Sequence, residues 1–191
     1  MIRATIALCL TAGVVSADPM FEDRSSALPQ HVYDGGWDHF VGGGVAVFDC
    51  NNDDLPDIFV AGGTNPAKLI RNDNDFTFTD MPLPQLTGVT GAYPLDLDSD
   101  GMMDLFVLRV GANVALKGGS DCTFTDATAA FGIPHTDQWS TAFSAWWDGP
   151  RPTLAIGNYV DQNDPDGPFE ACDTNAILRP TNDGYRREVL S

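Results

Sequence analysis

The chain is short of positive charge, of glutamate and of cysteine, and each shortage narrows what it can be. Ten Lys and Arg stand against 27 acidic residues, a formal net charge of −17. Binding to a phosphate backbone needs clustered cations, so nucleic acid is not expected as a partner. Among the 27 acids only three are glutamates and 24 are aspartates. Helical surfaces draw on Glu and Lys, whereas Asp belongs to turns and hard-cation sites, and no stretch keeps a 3.6-residue apolar period. Helix should therefore be scarce and loop-rich β-structure dominant. The four cysteines contain no CxxC, which leaves no basis for a zinc or dithiol site. GxSxG and HExxH are missing too, and His31, His39 and His135 are scattered over inter-strand segments as surface or capping residues, so no catalytic residue is assigned and no enzyme is expected. Beyond the N-terminus no run of 18 apolar residues occurs, so no membrane span is expected.

What is present begins with a secretory signal peptide over residues 1–17: Arg3, an apolar run from Ala4 to Val15, and small residues at Ser16 and Ala17 that suit cleavage before Asp18. The protein is expected to be secreted, extracellular or periplasmic. Of the cysteines that remain, Cys122 with Cys172 is the expected disulfide, leaving Cys50 as a free thiol.

Self-similarity decides the fold. Gly44 to Asp57, GVAVFDCNNDDLPD, aligns without a gap on Gly91 to Asp104, GAYPLDLDSDGMMD, at an offset of 47; the tails RNDNDFTFTD from Arg71 and KGGSDCTFTD from Lys117 align after the loss of one residue. A third copy starts near Phe143 with FSAWWDG and TLAIGN, its acidic loop shortened to DGPRP. Each unit has room for about four strands, and GVAVF and DIFVA read as strands covered on both faces. The fold expected is all-β, a β-propeller of about three blades: a blade tail over 18–40 that would serve as a ring-closing strand, then repeats over 41–87, 88–135 and 136–191. A closed propeller needs about four to eight blades, so the sequence reads as the N-terminal part of a longer protein. Pro94 is expected to bulge or interrupt its strand. One of Trp146 and Trp147 is expected in the core. Gly42 to Gly44 fit close strand packing better than a phosphate cradle.

The acidic loops carry the chemistry. In DLDSDGMMD the side chains of Asp96, Asp98, Asp100 and Asp104 and the Met102 carbonyl are candidate ligands around a turn at Gly101; the first repeat offers Asp49, Asn51, Asp53, Asp57 and the Leu55 carbonyl, with Asp54 tolerating the left-handed turn in place of glycine, so that weaker binding, not loss, is expected of the first loop. Carboxylate and carbonyl oxygens in that number suit Ca2+, whereas Mg2+ keeps its waters and zinc wants His or Cys. An EF-hand is excluded: its twelfth position falls on Val60 and Val107, inside apolar strands, where a Glu is needed. The third loop keeps Asp148 but lacks the other acids and is expected to bind nothing. Asp161 to Gly167, DQNDPDG, is out of register and reads as a solvated insertion. If calcium is what Asp96 and Asp104 are for, alanine at both should cost stability in calcium and far less in chelator.

DLDSDGMMDLFV and DCNNDDLPDIFV resemble the calcium loops of FG-GAP or VCBS repeats, the integrin α-subunit propeller type. WDHFVGGGVAVFDCNND, GNYVDQND and NAILRPTNDGY resemble the cartilage acidic protein family and its bacterial relatives, which often carry an ASPIC/UnbV domain. The resemblance implies a seven-bladed, calcium-stabilised, secreted propeller used for adhesion or interaction with an extracellular protein or glycan. A carbohydrate-binding, lectin-like propeller, or the propeller of a polysaccharide-degrading enzyme, is the alternative.

Overall fold

The computed structural model describes residues 20–40, 43–165 and 171–190; the expected signal peptide lies outside them. Twelve β-strands make up the described residues, with three short 3-10 turns and no α-helix. Strands β1 (Val45–Phe48), β2 (Asp57–Val60), β3 (Lys68–Asn72) and β4 (Phe78–Met81) form a four-stranded antiparallel sheet in chain order. The same meander recurs as β5 (Val89–Leu95), β6 (Asp104–Gly111), β7 (Val114–Gly119) and β8 (Thr123–Asp126), and again as β9 (Gln138–Trp147), β10 (Pro152–Asn158), β11 (Asn175–Thr181) and β12 (Gly184–Leu190). These are three propeller-type blades. They do not close a ring, and the end of β6 runs on to pair Val110 and Gly111 with Trp139 and Gln138, which joins the second and third blades into one sheet.

The first strands sit side by side, β1 against β5 and β5 against β9. Where they start, Gly44 backs onto its repeat counterpart Gly91: a Cβ at position 44 would lie 2.8 Å from the Gly91 Cα, so only glycine permits this approach. Strand β6 shows why a continuous apolar run is needed in the middle of the stack. Leu105 and Val107 pack toward the first blade and Phe106 and Leu108 toward the third, all fully buried, each stabilising by about 1.5–3 kcal/mol. Strand β1 departs from the expected two-sided cover. Ala46 and Phe48 point inward, but Val45 and Val47 are 60% and 59% exposed because no described blade lies beyond them.

Four other expectations are corrected. Strand β5 runs unbroken through Pro94, which faces Leu105; the register shift falls between Val89 and Gly91. Apart from a bridge between Val89 and Gly63 at its start, β5 pairs only with β6, so its other edge is open at Pro94, the setting in which proline is tolerated. Neither Trp146 nor Trp147 is core. Trp147 is exposed and Trp146 donates Nε1–H to Asp148 Oδ2 at 2.7 Å, whereas Trp139, on the same strand, is the tryptophan that is buried. Residues 20–40 contain no extended strand, only a bridge from Asp34 to Gly63, and are strapped along the first blade by His31 Nε2 on the Ala61 carbonyl (2.7 Å) and by Asn65 Nδ2 on the Val32 carbonyl (3.0 Å).

The fourth correction is the disulfide, which joins Cys50 to Cys122, with Cα atoms 4.9 Å apart and a sequence separation of 72; Cys172 is free and exposed. Stacking of blades explains the pairing. Cys50 follows β1 in the first blade and Cys122 sits in the turn before β8 of the second, two positions far apart in the chain that the packed faces bring into contact. Peptide mapping without reductant is expected to recover Cys50 linked to Cys122 and Cys172 alkylated, and reduction is expected to cost about 2–4 kcal/mol in urea unfolding. A Cys122–Cys172 peptide would refute this arrangement.

Candidate metal centre

The loops that join first to second strands in blades one and two share one backbone. Left-handed φ values occur at Asn52 (61°) and Asp54 (65°) and, 47 residues later, at Ser99 (65°) and Gly101 (86°). Asp54 adopts the conformation that glycine takes in the second loop, as its short polar side chain permits. Each loop winds around its first aspartate. Asp49 accepts the amides of Asn51 and Asp53 (both 3.2 Å) and Asp54 (2.8 Å); Asp96 accepts those of Ser99 (2.6 Å), Asp100 (3.2 Å) and Gly101 (2.9 Å). Burial raises the Asp49 carboxyl, but these amides outweigh it and hold the pKa below the usual carboxylate range.

The last aspartate of each loop is fully buried and spans two strands. Asp57 accepts from Cys50 N–H and Asn72 N–H, both at 2.8 Å; Asp104 accepts from Leu97 N–H at 2.9 Å and Gly118 N–H at 2.8 Å. Burial lifts both carboxyls, Asp104 to about 6, against the pull of those amides in the other direction. A negative charge is thus held where it is poorly solvated, a condition that a neighbouring cation relieves.

Ligand oxygens of Asp96, Asp98 and Asp104 come within 4.8 Å of one another. The residues of the first loop that align with these three are Asp49, Asn51 and Asp57. Asn51 Oδ1 and Asp98 Oδ1, equivalent atoms of the two repeats, are both buried with no hydrogen-bond partner. Asp53 and Asp100 are not part of these groups. Asp53 takes Asn51 Nδ2 at 2.8 Å, and Asp100 takes the Lys117 ammonium at 2.5 Å. Leu55 and Met102 are fixed by their amides on Asp53 Oδ1 (2.8 Å) and Asp100 Oδ1 (2.9 Å). Both loops and the shortened third one lie at the same end of the blades: Asn52 Nδ2 reaches Met102 Sδ at 3.6 Å, and Ser99 Oγ donates to the Pro150 carbonyl.

Sequence reading missed the cations. Lys117, on β7, pairs with Asp98 as well as Asp100, and the two carboxylates hold its ammonium well above the usual lysine range. In the third blade the position of Asp104 is Pro152, and Arg151 does the bridging, with its guanidinium on the carbonyls of Phe131 (3.2 Å), Leu97 (3.3 Å) and Gly184 (3.4 Å) and 4.5 Å from the Tyr185 ring centre. Cys50, Asp57 and Cys122 also cluster, but the disulfide removes both sulfurs as ligands.

These contacts change what alanine at Asp104 should do. It would leave two buried amides without acceptors, at about 1–3 kcal/mol each, so Asp104→Ala is expected to lose about 2–6 kcal/mol even in chelator, and more in calcium if the loop binds it. Asp98→Ala should lose under about 1 kcal/mol in chelator, its ion pair being partly exposed. Urea unfolding under both conditions checks this, and an Asp104→Ala loss confined to calcium would contradict the bridging role.

No curated protein matches the chain. Residues 49–107 match the family model described as an FG-GAP-like repeat, a span that runs from the first aspartate of the first loop into the strand after the second. The segment that carries both acidic loops is similar to an FG-GAP-like repeat.

Proposed function

We propose that the protein is an exported calcium-binding β-propeller module for interaction with a protein or glycan outside the cytoplasm. One observation carries the calcium reading: Asn51 Oδ1 and Asp98 Oδ1, one in each loop, are buried and unpartnered, and in the second loop Asp98 converges with Asp96 and Asp104. Buried oxygens without donors are costly, and a hard cation is the partner that hard oxygens accept. Asp49, Asn51, Asp53, Asp57 and the Leu55 carbonyl would hold one ion; Asp96, Asp98, Asp100, Asp104 and the Met102 carbonyl would hold the other. Bound calcium would supply positive charge that ties each loop to the strands it joins. The Cys50–Cys122 disulfide supports export, since such bonds persist in oxidising compartments. The FG-GAP-like match supports an integrin-like interaction module.

A carbohydrate-binding role is the second reading. It is favoured by a cleft of about 150 Å3 lined by Trp37, Asp38, Asp161 and Gln162, in which the exposed Trp37 ring and the acidic side chains could face a sugar ring. A glycan array in which several related sugars bind, and lose binding on Asp161→Ala, would shift the assignment to it.

Calorimetric titration with calcium chloride is expected to show two sites per chain with Kd values of about 10⁻⁴ to 10⁻³ M, and magnesium should respond far more weakly. At about 100 Kd each site adds about 2.7 kcal/mol of stability, visible as a rise in Tm. Zero sites, or an equal response to magnesium, would overturn the proposal.

A further inference from the structure

We infer that Lys117 is a built-in competitor for the cation of the second loop, so that two loops with one backbone are unequal sites and the first fills before the second. This rests on the calcium reading of the loops. The chain has only two lysines, Lys68 and Lys117. Lys117 reaches from β7 across the mouth of the second loop and pairs with Asp98 and Asp100, two of that loop's candidate ligands. Asp100 is thereby drawn out of the group formed by Asp96, Asp98 and Asp104, because one of its oxygens takes the ammonium and the other the Met102 amide.

The first loop has the same geometry without the competitor. The residue that aligns with Lys117 is Arg71, and its guanidinium is turned away, with Nε on Asp73 at 2.7 Å and Nη1 on Asp121 at 2.8 Å. Among the described residues no salt bridge reaches Asp49, Asp53 or Asp57. A divalent cation and an ammonium repel, and both draw on the same carboxylates, so filling the second loop requires Lys117 to yield. It has somewhere to go. A cavity of about 450 Å3 beside the loop is lined by Lys117, Phe131, Arg151 and Asp183, so a further carboxylate and a ring face adjoin the ammonium's present place; Nζ is already 5.9 Å from the Phe131 ring centre. Without calcium, Lys117 stands in for the ion and keeps the second loop ordered. With calcium rising, the first loop responds at lower concentration, the reverse of the order expected from Asp54 in place of glycine, because Lys117 burdens the second loop.

The test is calcium chloride titration of the chain and its Lys117→Gln and Lys117→Arg variants, with circular dichroism to confirm folding. Lys117→Gln is expected to tighten the weaker step about tenfold, the equivalent of losing one or two partly exposed ion pairs, and to leave the tighter step within about twofold; Lys117→Arg should stay near wild type. Pulse labelling with an amine-reactive reagent gives an independent readout on the unmodified sequence. Calcium is expected to raise labelling of Lys117 but not of Lys68, which pairs with Asp80. If Lys117→Gln weakens calcium binding or leaves it unchanged, or if calcium lowers or does not alter Lys117 labelling, Lys117 is not a competitor, although calcium binding itself would stand. If the wild-type chain takes up no calcium, the reading of the loops fails and this inference falls with it.

Discussion

The structure depends on one repeated interaction, a buried carboxylate shared between two backbone amides from different strands. Asp57 and Asp104 each join the residue just after the first strand of the blade to a residue of the third strand, with the second strand starting at the aspartate itself. One side chain thus sets the spacing of three strands. Close approach is part of the arrangement: a Cβ at Gly118 would come within 2.0 Å of the Met103 carbonyl, so the third strand can meet the loop only because residue 118 has no side chain. The winding of the acidic loops, the reach of Lys117 and the position of the Cys50–Cys122 bond all follow from that junction.

The three blades solve the same local problem with different charges. The first uses Asp57 with Asn51 and Asp53 nearby and directs its arginine outward to Asp73 and Asp121. The second adds Asp98 and Asp100 and places a lysine on them. The third has lost the acids and inserts Arg151, whose donors meet carbonyls where the other blades have carboxylates meeting amides. Inverting the sign in this way keeps strands tied together without an ion, which is why a loop reduced to DGPRP still belongs to an ordered blade.

Much of this was legible in the chain. The offset of 47 residues located both loops and the left-handed position at Asp54. These are local signals: period, turn chemistry and spacing. What escaped was set by contacts between blades. Cys50 and Cys122 meet because two sheets stack, and nothing near either cysteine records that. Trp139 is buried and Trp147 exposed because β9 changes neighbours along its length, with β6 beside its start and no such cover at its far end. Lys117 could have been found from the repeat itself, since it aligns with Arg71, but only the fold shows that the two side chains turn in opposite directions.

The disulfide also bears on how the protein carries load. A chain drawn out by its ends transmits force along the shortest covalent route, and that route passes from Cys50 directly to Cys122. The strands from β2 to β7, and both buried aspartates, lie on the bypassed segment. About 250 Å of extended chain, at roughly 3.5 Å per residue over the 72-residue separation, is kept out of the stretched path. Tension would strip β1 and the edge of the third blade first, while the second acidic loop, and the first from Cys50 onward, remain in a slack, closed region, so such blades would keep their buried aspartate junctions after the ends had begun to give.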